Sequence, residues 1–362
     1  MKIDRIETTV YRLPLPTPVQ AASTGVMSEF DMVMTQITDS DNATGCGYTV
    51  LFPGLGGAVA AIIEKGCGDI LAGADPRRIE WLWAQMWRRL HYSGRGAPVT
   101  FAMAAVDTAL WDLRGRSLGE PLWRLLGGHD PHVRAYAGNI DLNFPLEKLL
   151  AGASRSLDAG FKSIKMRLGK PTLGEDVARV TAMRDHLGPD IELMTDANEA
   201  WRTDQAMKAF RALRDFDLVW IEEPIGPDDY AGYAHLRAHG GVPIATGENL
   251  HTVSEFTSLI SAGGVDFPEP DLTTCGGVTP WMKIARLAEA HALPVTSHGA
   301  HDVHIHLLAA CPNAAYLEVH GFGLENFMAE PLKMEDGNAV APDRPGHGID
   351  FDWDALNAHR SD

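Results

Sequence analysis

The sequence predicts an α/β protein, a barrel of alternating strands and helices behind a smaller α+β domain, and three observations predict it. The chain has 362 residues, more than one typical domain of ~100–200 residues. Its second half alternates short apolar runs with helical stretches, as strand–helix repeats do. Each of those runs ends in a polar residue at the spacing of a strand–helix unit.

The elements follow in order. Residues 1–50 read as an antiparallel strand region, with Ile3, Ile6 and Val10 early and Met32, Val33, Thr35 and Ile37 after a Gly/Ser-containing loop. Residues 56–127 read as helices. The clearest covers 101–118, where Ala105, Ala109 and Leu113, flanked by Val106 and Leu110, form an apolar stripe. Gly127, Gly128 and Pro131 mark a turn and the boundary of the first domain. This gives a first domain over 1–128, a barrel over 129–327, and a tail over 328–362 that packs back on the first domain.

Eight strand candidates lie at 135–139, 163–167, 192–196, 218–222, 243–248, 265–271, 294–298 and 316–318. Eight strands with helical connections over about 190 residues fit a (β/α)₈ barrel. Asp196, Glu222, Glu248, Asp271, His298 and Glu318 end successive strands at intervals of 26, 26, 23, 27 and 20 residues. Those strand ends converge at the barrel mouth, where active sites of this fold lie. A single acid at a strand end is as well explained by a helix cap, but six in phase are not. Asp196, Glu222 and Glu248 are three carboxylates on consecutive strands, a donor set for a hard cation such as Mg²⁺.

Lys165 and Arg167 stand two apart on one strand, so both face one side and Met166 the other. Two adjacent cations are expected to depress the lysine's pKa and make it available as a base. His298 follows Asp271 by one strand, so the carboxylate can orient the imidazole. His298, His301, His304 and His306 also raise a zinc site. A helix over 300–310 would scatter them, leaving only His298 and His301 within reach of the mouth.

Composition removes other classes. The chain is 45% hydrophobic and 22% charged, with a net charge of −17 and no basic cluster. Neither nucleic acid nor an anionic membrane is therefore an expected partner. No run of ~18 apolar residues suggests a membrane span, and the N-terminus lacks a signal-peptide core. A cytoplasmic location follows as the expectation. Cys46, Cys67, Cys275 and Cys311 match no metal or redox spacing and read as reduced thiols.

These residues resemble the enolase superfamily, specifically its mandelate racemase subgroup. The resemblance spans nearly the whole chain: the N-terminal MKIDRIETTVYRLPLP, the helix AAVDTALWDLRGRSLGEPLWRLLGG, TDAN at Asp196, WIEEP at Glu222, TGEN at Glu248, PDLTTCGGVT from Pro270, and TSHGAH at His298. It implies an α+β capping domain over a modified (β/α)₇β barrel, with Mg²⁺ on Asp196, Glu222 and Glu248, and Glu222 rather than Glu223 as the ligand in WIEEP. It implies Asn198 as a substrate-binding residue, Asp271 and His298 as a general acid/base dyad, and Glu318 as hydrogen-bonding a substrate carboxylate. Capping-domain loops at roughly 20–30 and 48–57 would close over the substrate's distal end, and the chain would form a homo-oligomer.

One position departs from the subgroup. Its Lys-x-Lys is here Lys165-Met166-Arg167, and arginine is a poor base near neutral pH. That shifts the expectation from racemisation to dehydration of an aldonate or aldarate. In this chemistry the α-proton is taken, an enediolate forms and the 3-hydroxyl leaves to give a 2-keto-3-deoxy acid. His298 is the expected general acid, His298 or Lys165 the base, and Arg167 a substrate-binding group. The alternatives are a racemase or epimerase of a 2-hydroxy acid and a non-catalytic sugar-acid-binding protein. Cycloisomerases and dipeptide epimerases of the superfamily are disfavoured, because they resemble a pattern with a lysine on the sixth strand, where this chain has Asp271.

Overall fold

In the computed structural model, which describes residues 1–22 and 25–361, the chain opens with β1 (Ile3–Ala21), β2 (Gly25–Asp39) and β3 (Thr44–Leu51), an antiparallel sheet in that order. Five α-helices follow: α1 (Gly56–Ile62), α2 (Gly68–Leu71), α3 (Ile79–Leu90), α4 (Val99–Leu118) and α5 (Leu122–Leu125). A Cβ at Gly45 would lie 2.3 Å from the Leu113 nitrogen, and one at Gly47 2.4 Å from the Ala105 oxygen. The α4 backbone therefore rests directly on β3, which only glycines in the strand allow. The helix is buried on most faces rather than along one stripe, and its many alanines fit that position.

The barrel runs β4 (His132–Gly138), α6 (Leu146–Asp158), β5 (Ser163–Arg167), α7 (Leu173–Leu187), β6 (Glu192–Asp196), α8 (Thr203–Leu213), β7 (Leu218–Glu222), α9 (Tyr230–His239), β8 (Ile244–Thr246), α10 (Val253–Ser261), β9 (Phe267–Pro268), α11 (Val278–Ala290), α12 (His301–Ala309) and β10 (Leu317–His320). Strands β4 to β9 pair in parallel, and β10 pairs in parallel with β4.

The seventh strand position shrinks to a bridge between Val295 and Ala314, tied to β9 where the Thr296 amide donates to the Pro268 carbonyl at 3.0 Å. Pro268, Pro270 and Pro294 supply no amide hydrogens, so the expected runs 265–271 and 294–298 keep little ladder. Eight strand positions with seven helices between them make the (β/α)₇β barrel.

The tail forms a hairpin, β11 (Lys333–Glu335) and β12 (Asn338–Val340), whose second strand pairs with β4. It then returns to the first sheet, where Arg360 bridges to Tyr11.

Tyr136, Met194, Trp220, Ala245 and Tyr316 fill the barrel interior, with the Trp220 ring 5.4 Å from Tyr136 and 5.5 Å from Tyr316. All three rings direct polar handles at acids, Tyr316 Oη donating to Glu192 at 3.1 Å. Tyr136 Oη donates to Glu269 at 3.0 Å, and Trp220 Nε1 donates to Glu222 at 3.1 Å.

The first domain reaches the mouth by strands more than by loops. Residues 20–30, expected as a loop, are largely the end of the β1–β2 hairpin, where Ala21 pairs with Gly25. A Cβ on Gly169, just past β5, would come 3.0 Å from Ala22, so the hairpin overlies that strand end. Phe30 stacks on Phe322 at 5.5 Å, and Thr49 donates to the Thr273 carbonyl at 2.7 Å. The stretch 48–57 divides: to Leu51 it is strand, while the amides of Gly54 and Gly56 donate to Asp31 at 2.8 and 3.0 Å and tie the turn back to β2.

Candidate active site and metal centre

Six consecutive strand ends deliver the polar residues to one place. One carboxylate oxygen each from Asp196, Glu222 and Glu248 lies within 4.8 Å of the others. The set is all oxygen, the preference of a hard divalent cation. Asp196 Oδ2 and Glu248 Oε2 are buried and, beyond ion-pair contacts, have no hydrogen-bond partner among the described residues. Buried carboxylate oxygens left so are costly unless a cation satisfies them. These residues fit Mg²⁺.

A protein cation faces each acid. Arg167 Nη1 is in contact with Asp196, Lys165 Nζ lies 2.7 Å from Glu222, and His298 Nε2 lies 3.2 Å from Glu248. Lys165 also reaches Glu318 at 2.7 Å. Arg167 Nη1 donates to Asn198 at 2.7 Å, so the guanidinium is fixed against β6. Met166 lies in the hydrophobic core, as strand alternation requires.

The expected depression of Lys165 does not occur. Burial lowers the ammonium's pKa, but Glu222 and Glu318 outweigh it, and the net shift is upward. Arg167 lowers it less, because the two carboxylates are closer. These two carboxylates hold Lys165 charged.

His298 and Asp271 form the predicted pair, Nδ1 to Oδ2 at 3.0 Å. Asp271 is itself fixed by the Thr273 amide at 2.7 Å and hydroxyl at 2.8 Å. Burial opposes the charged imidazole, yet Glu248 and Asp271 raise its pKa well above the usual value. Glu318 accepts from the Gly299 amide at 2.9 Å. Its pKa is well below normal because Lys165 overcomes the cost of burial. The loops leaving the strands carry left-handed backbone at Asn198 (φ 39°), Glu223 (φ 38°) and Ala300 (φ 37°), strain of a kind that clusters at functional sites.

The other histidines of the cluster turn elsewhere. His304 Nε2 accepts from the Leu272 amide at 2.9 Å and His306 Nδ1 from the Trp123 amide at 3.3 Å. His301 Nδ1 accepts from the His320 amide at 3.3 Å. Backbone contacts therefore occupy all three.

Three residues that sequence reasoning missed belong here. Glu269 is buried two residues before Asp271, and burial with the nearby Glu222 raises its pKa well above normal. His320 is buried two residues after Glu318, its ring 5.7 Å from that of His298. Gly138 on β4 lies under Glu318, where a Cβ would come 2.4 Å from Oε1. Alternation along a strand was the available signal for the first two.

A barrel of this kind, capped by an α+β domain and carrying acids on successive strand ends, defines a class, and the chain belongs to it. Residues 5–127 match the N-terminal domain of the mandelate racemase / muconate lactonizing enzyme family, and 148–355 match the enolase C-terminal domain-like family. The protein is an enzyme of the enolase superfamily, in the mandelate racemase subgroup.

It is 49% identical over 354 residues, 98% of each chain, to the 3,6-anhydro-alpha-L-galactonate cycloisomerase of Streptomyces coelicolor. It is 35% identical to the L-talarate/galactarate dehydratase of Salmonella typhimurium, over 97% of this chain and 88% of that one. Among solved structures, a racemase from Streptomyces coelicolor A3(2) with bound magnesium superposes with a TM-score of 0.97 at 48% identity, covering 99% of this chain and 100% of the other. L-Talarate dehydratase from Polaromonas sp. JS666, complexed with Mg and L-glucarate, gives 0.94 at 34% identity, covering 100% of this chain and 98% of that one. No helix among the described residues is long and apolar enough to cross a membrane.

Proposed function

We propose that the protein is a Mg²⁺-dependent acid-sugar enzyme that removes the proton α to a carboxylate and expels the oxygen on the next carbon, leaving a 2-keto-3-deoxy acid. The observation that carries this reading is the His298–Asp271 pair, with Nε2 of the same imidazole 3.2 Å from Glu248. One histidine thereby faces both its orienting carboxylate and the proposed ligand set. Asp196, Glu222 and Glu248 would hold the cation, which supplies positive charge to a substrate carboxylate as that group gains charge.

The chain's own groups do the rest. Asp271 keeps the Nδ1 hydrogen on its own side, which leaves Nε2 to exchange a proton with the substrate. His298 is the proposed general acid toward the departing oxygen. Lys165, between Glu222 and Glu318, is the proposed base on the opposite side once substrate and cation have taken over its carboxylate partners. Glu318 is proposed to hydrogen-bond the substrate carboxylate, and Arg167 and Asn198 to orient the substrate as a fixed pair.

Of the four relatives described above, two are named dehydratases and one a cycloisomerase, which supports elimination and widens its leaving group, while one solved structure is named a racemase. In a 3,6-anhydrogalactonate the β-oxygen belongs to a ring ether, so the same elimination opens the ring without losing water. In galactarate the β-oxygen is a hydroxyl and leaves as water. Both outcomes need one C2 proton removed and one C3–O bond broken, and we assign this chain that common chemistry.

The test is a Mg²⁺-supplemented screen of 3,6-anhydro-L-galactonate and open-chain aldonates and aldarates, with semicarbazide detection of 2-keto acids and mass analysis in deuterated water. The expected result is a keto acid, isomeric with the anhydro acid or lighter by one water than an open-chain acid. Deuterium appearing at C2 of recovered substrate with no keto acid would establish racemisation instead.

A further inference from the structure

The barrel mouth holds a second set of metal-binding donors beside the three carboxylates. One ring nitrogen each from His298 and His320 and one carboxylate oxygen of Glu318 lie within 4.8 Å of one another. His320 and Glu318 are buried, and His298 is partly open to the mouth. The chemistry of this set differs from that of its neighbour. Asp196, Glu222 and Glu248 offer oxygen alone, which suits Mg²⁺. Two imidazoles and a carboxylate suit Zn²⁺, which takes nitrogen and oxygen donors and can bind three protein groups with a fourth position open.

Each donor has capacity for a cation. Asp271 fixes the Nδ1 side of His298 at 3.0 Å, the arrangement that orients a zinc-binding histidine and leaves Nε2 for the metal. Glu318 Oε2 accepts one hydrogen bond, from the Gly299 amide at 2.9 Å, and a carboxylate oxygen can take a second contact. His320 Nδ1 is buried with no hydrogen-bond partner among the described residues. Burial pushes the ring's pKa down to about 3, so it is neutral near pH 7. His298 Nε2 and Glu318 Oε2 stand 4.0 Å apart. Zinc bonds of ~2.0–2.2 Å put tetrahedral donors roughly 3.4 Å apart, so a slight closure of the two side chains completes the site.

Another mixed cluster supplies the contrast. Cys46, Asp112 and His347 also lie within 4.8 Å of one another. There Asp112 already accepts from the Cys46 and His347 amides and from Arg116, and His347 Nδ1 accepts from the Ile349 amide. Those donors are occupied within the protein; the ones at the mouth are not.

We propose that His298, Glu318 and His320 form a zinc-type inhibitory site, separate from the Mg²⁺ site and able to fill beside it. Two-metal sites hold ions ~3.5–4 Å apart, and Glu248, 3.2 Å from His298 Nε2, stands between the two donor sets. The inhibition, though not the binding, rests on the acid-sugar reading above. Zinc here takes the nitrogen with which His298 exchanges protons and an oxygen of the group proposed to meet the substrate carboxylate.

The probe is Zn²⁺, titrated calorimetrically into the full chain in a large excess of Mg²⁺. The wild type should bind one equivalent that Mg²⁺ does not displace. Loss of an outer partner alone commonly costs ~10–100-fold in metal affinity. His320→Asn and Glu318→Gln each remove a ligand and should weaken zinc at least tenfold. Asp196→Asn, which breaks the oxygen set, should leave zinc affinity within a few-fold. Thermal melts within a few degrees of wild type establish that the variants fold. On an acid-sugar substrate, the same equivalent of Zn²⁺ should abolish turnover, and added Mg²⁺ should not restore it.

No zinc bound in excess Mg²⁺, binding unchanged in His320→Asn, or binding lost as fully in Asp196→Asn would each overturn the second site, the last by showing zinc in magnesium's place. Full turnover with zinc bound would overturn the inhibition. Failure of the parent reading is seen separately, as zinc held by His320 in a protein that yields no keto acid from any substrate.

Discussion

Lys165 and Glu318 form a fully buried ion pair, Nζ to Oε1 at 2.7 Å, although β4 lies between their strands. Gly138 makes this possible: it pairs with Lys165 on one side and His320 on the other, and its missing side chain leaves the gap over which the two groups meet. The pair joins the proposed base to the proposed carboxylate-binding group, so a change at a glycine that touches no substrate should reach catalysis. Gly138→Ala places a Cβ 2.4 Å from Glu318 Oε1 and must displace that carboxyl. Loss of one preorganised contact to developing charge costs roughly 10²–10³ in kcat. We expect a fall of that order with the protein still folded, measured by steady-state kinetics beside a thermal melt.

His298→Asn should abolish turnover, because the proton carrier is gone while the ligand carboxylates remain. Asp271→Asn keeps the shape but removes the charge that stabilises the imidazolium, and an amide nitrogen facing Nδ1 favours the wrong tautomer. General acid/base groups contribute roughly 10²–10⁴, so kcat in that variant should fall by about 10² or more. Both variants should keep wild-type affinity for Mg²⁺ within a few-fold, measured by calorimetry. Activity near wild type in His298→Asn would remove the histidine from its proposed role.

Much of the site was legible because β/α repetition turns chain spacing into spatial order: Asp196, Glu222, Glu248, Asp271, His298 and Glu318 sit where their intervals imply. Single polar strand ends were legible; second residues on the same strand were not. Glu269 and His320 lie two positions from Asp271 and Glu318 on the same face, yet each also reads as an ordinary core or edge residue. The Lys165 pKa failed for another reason. Sequence adjacency puts Arg167 beside it, whereas the controlling charges, Glu222 and Glu318, come from other strands. Gly138 was hidden because nothing in a lone glycine says which side chain occupies the space above it.

Cation binding should stabilise the fold. Arg167, Lys165 and His298 each face one of the three acids, but among the described residues buried oxygens on Asp196 and Glu248 have no hydrogen-bond partner beyond those ion-pair contacts. A ligand bound only by the folded state adds ~2.7 kcal/mol at a hundredfold excess over Kd. Mg²⁺ should therefore raise Tm by several degrees in a saturable way that EDTA reverses. Asp196→Asn and Glu248→Gln should each flatten that response, followed by differential scanning fluorimetry across a Mg²⁺ series.

Acid should destabilise the protein through two fully buried histidines, His304 just behind the Asp271–His298 pair and His306. Burial pushes His304 down to about 4 and His306 down to about 3. Each ring accepts a backbone amide hydrogen at one nitrogen and faces a carbonyl with the other: Leu272 and Gly299 for His304, Trp123 and His347 for His306. A proton on either ring would break the accepting bond, so the folded state refuses protons that the unfolded chain takes up near pH 6.5. The contribution is complete above pH 6.5 and is lost as pH falls from there toward the folded values, at up to about 1.4 kcal/mol per pH unit for each histidine. Tm should be level between pH 7 and 8 on this account and fall progressively from about pH 6 toward 4. His306→Asn, which cannot titrate, should start from a lower Tm and show a shallower acid slope; an unchanged slope would place the acid sensitivity on other groups.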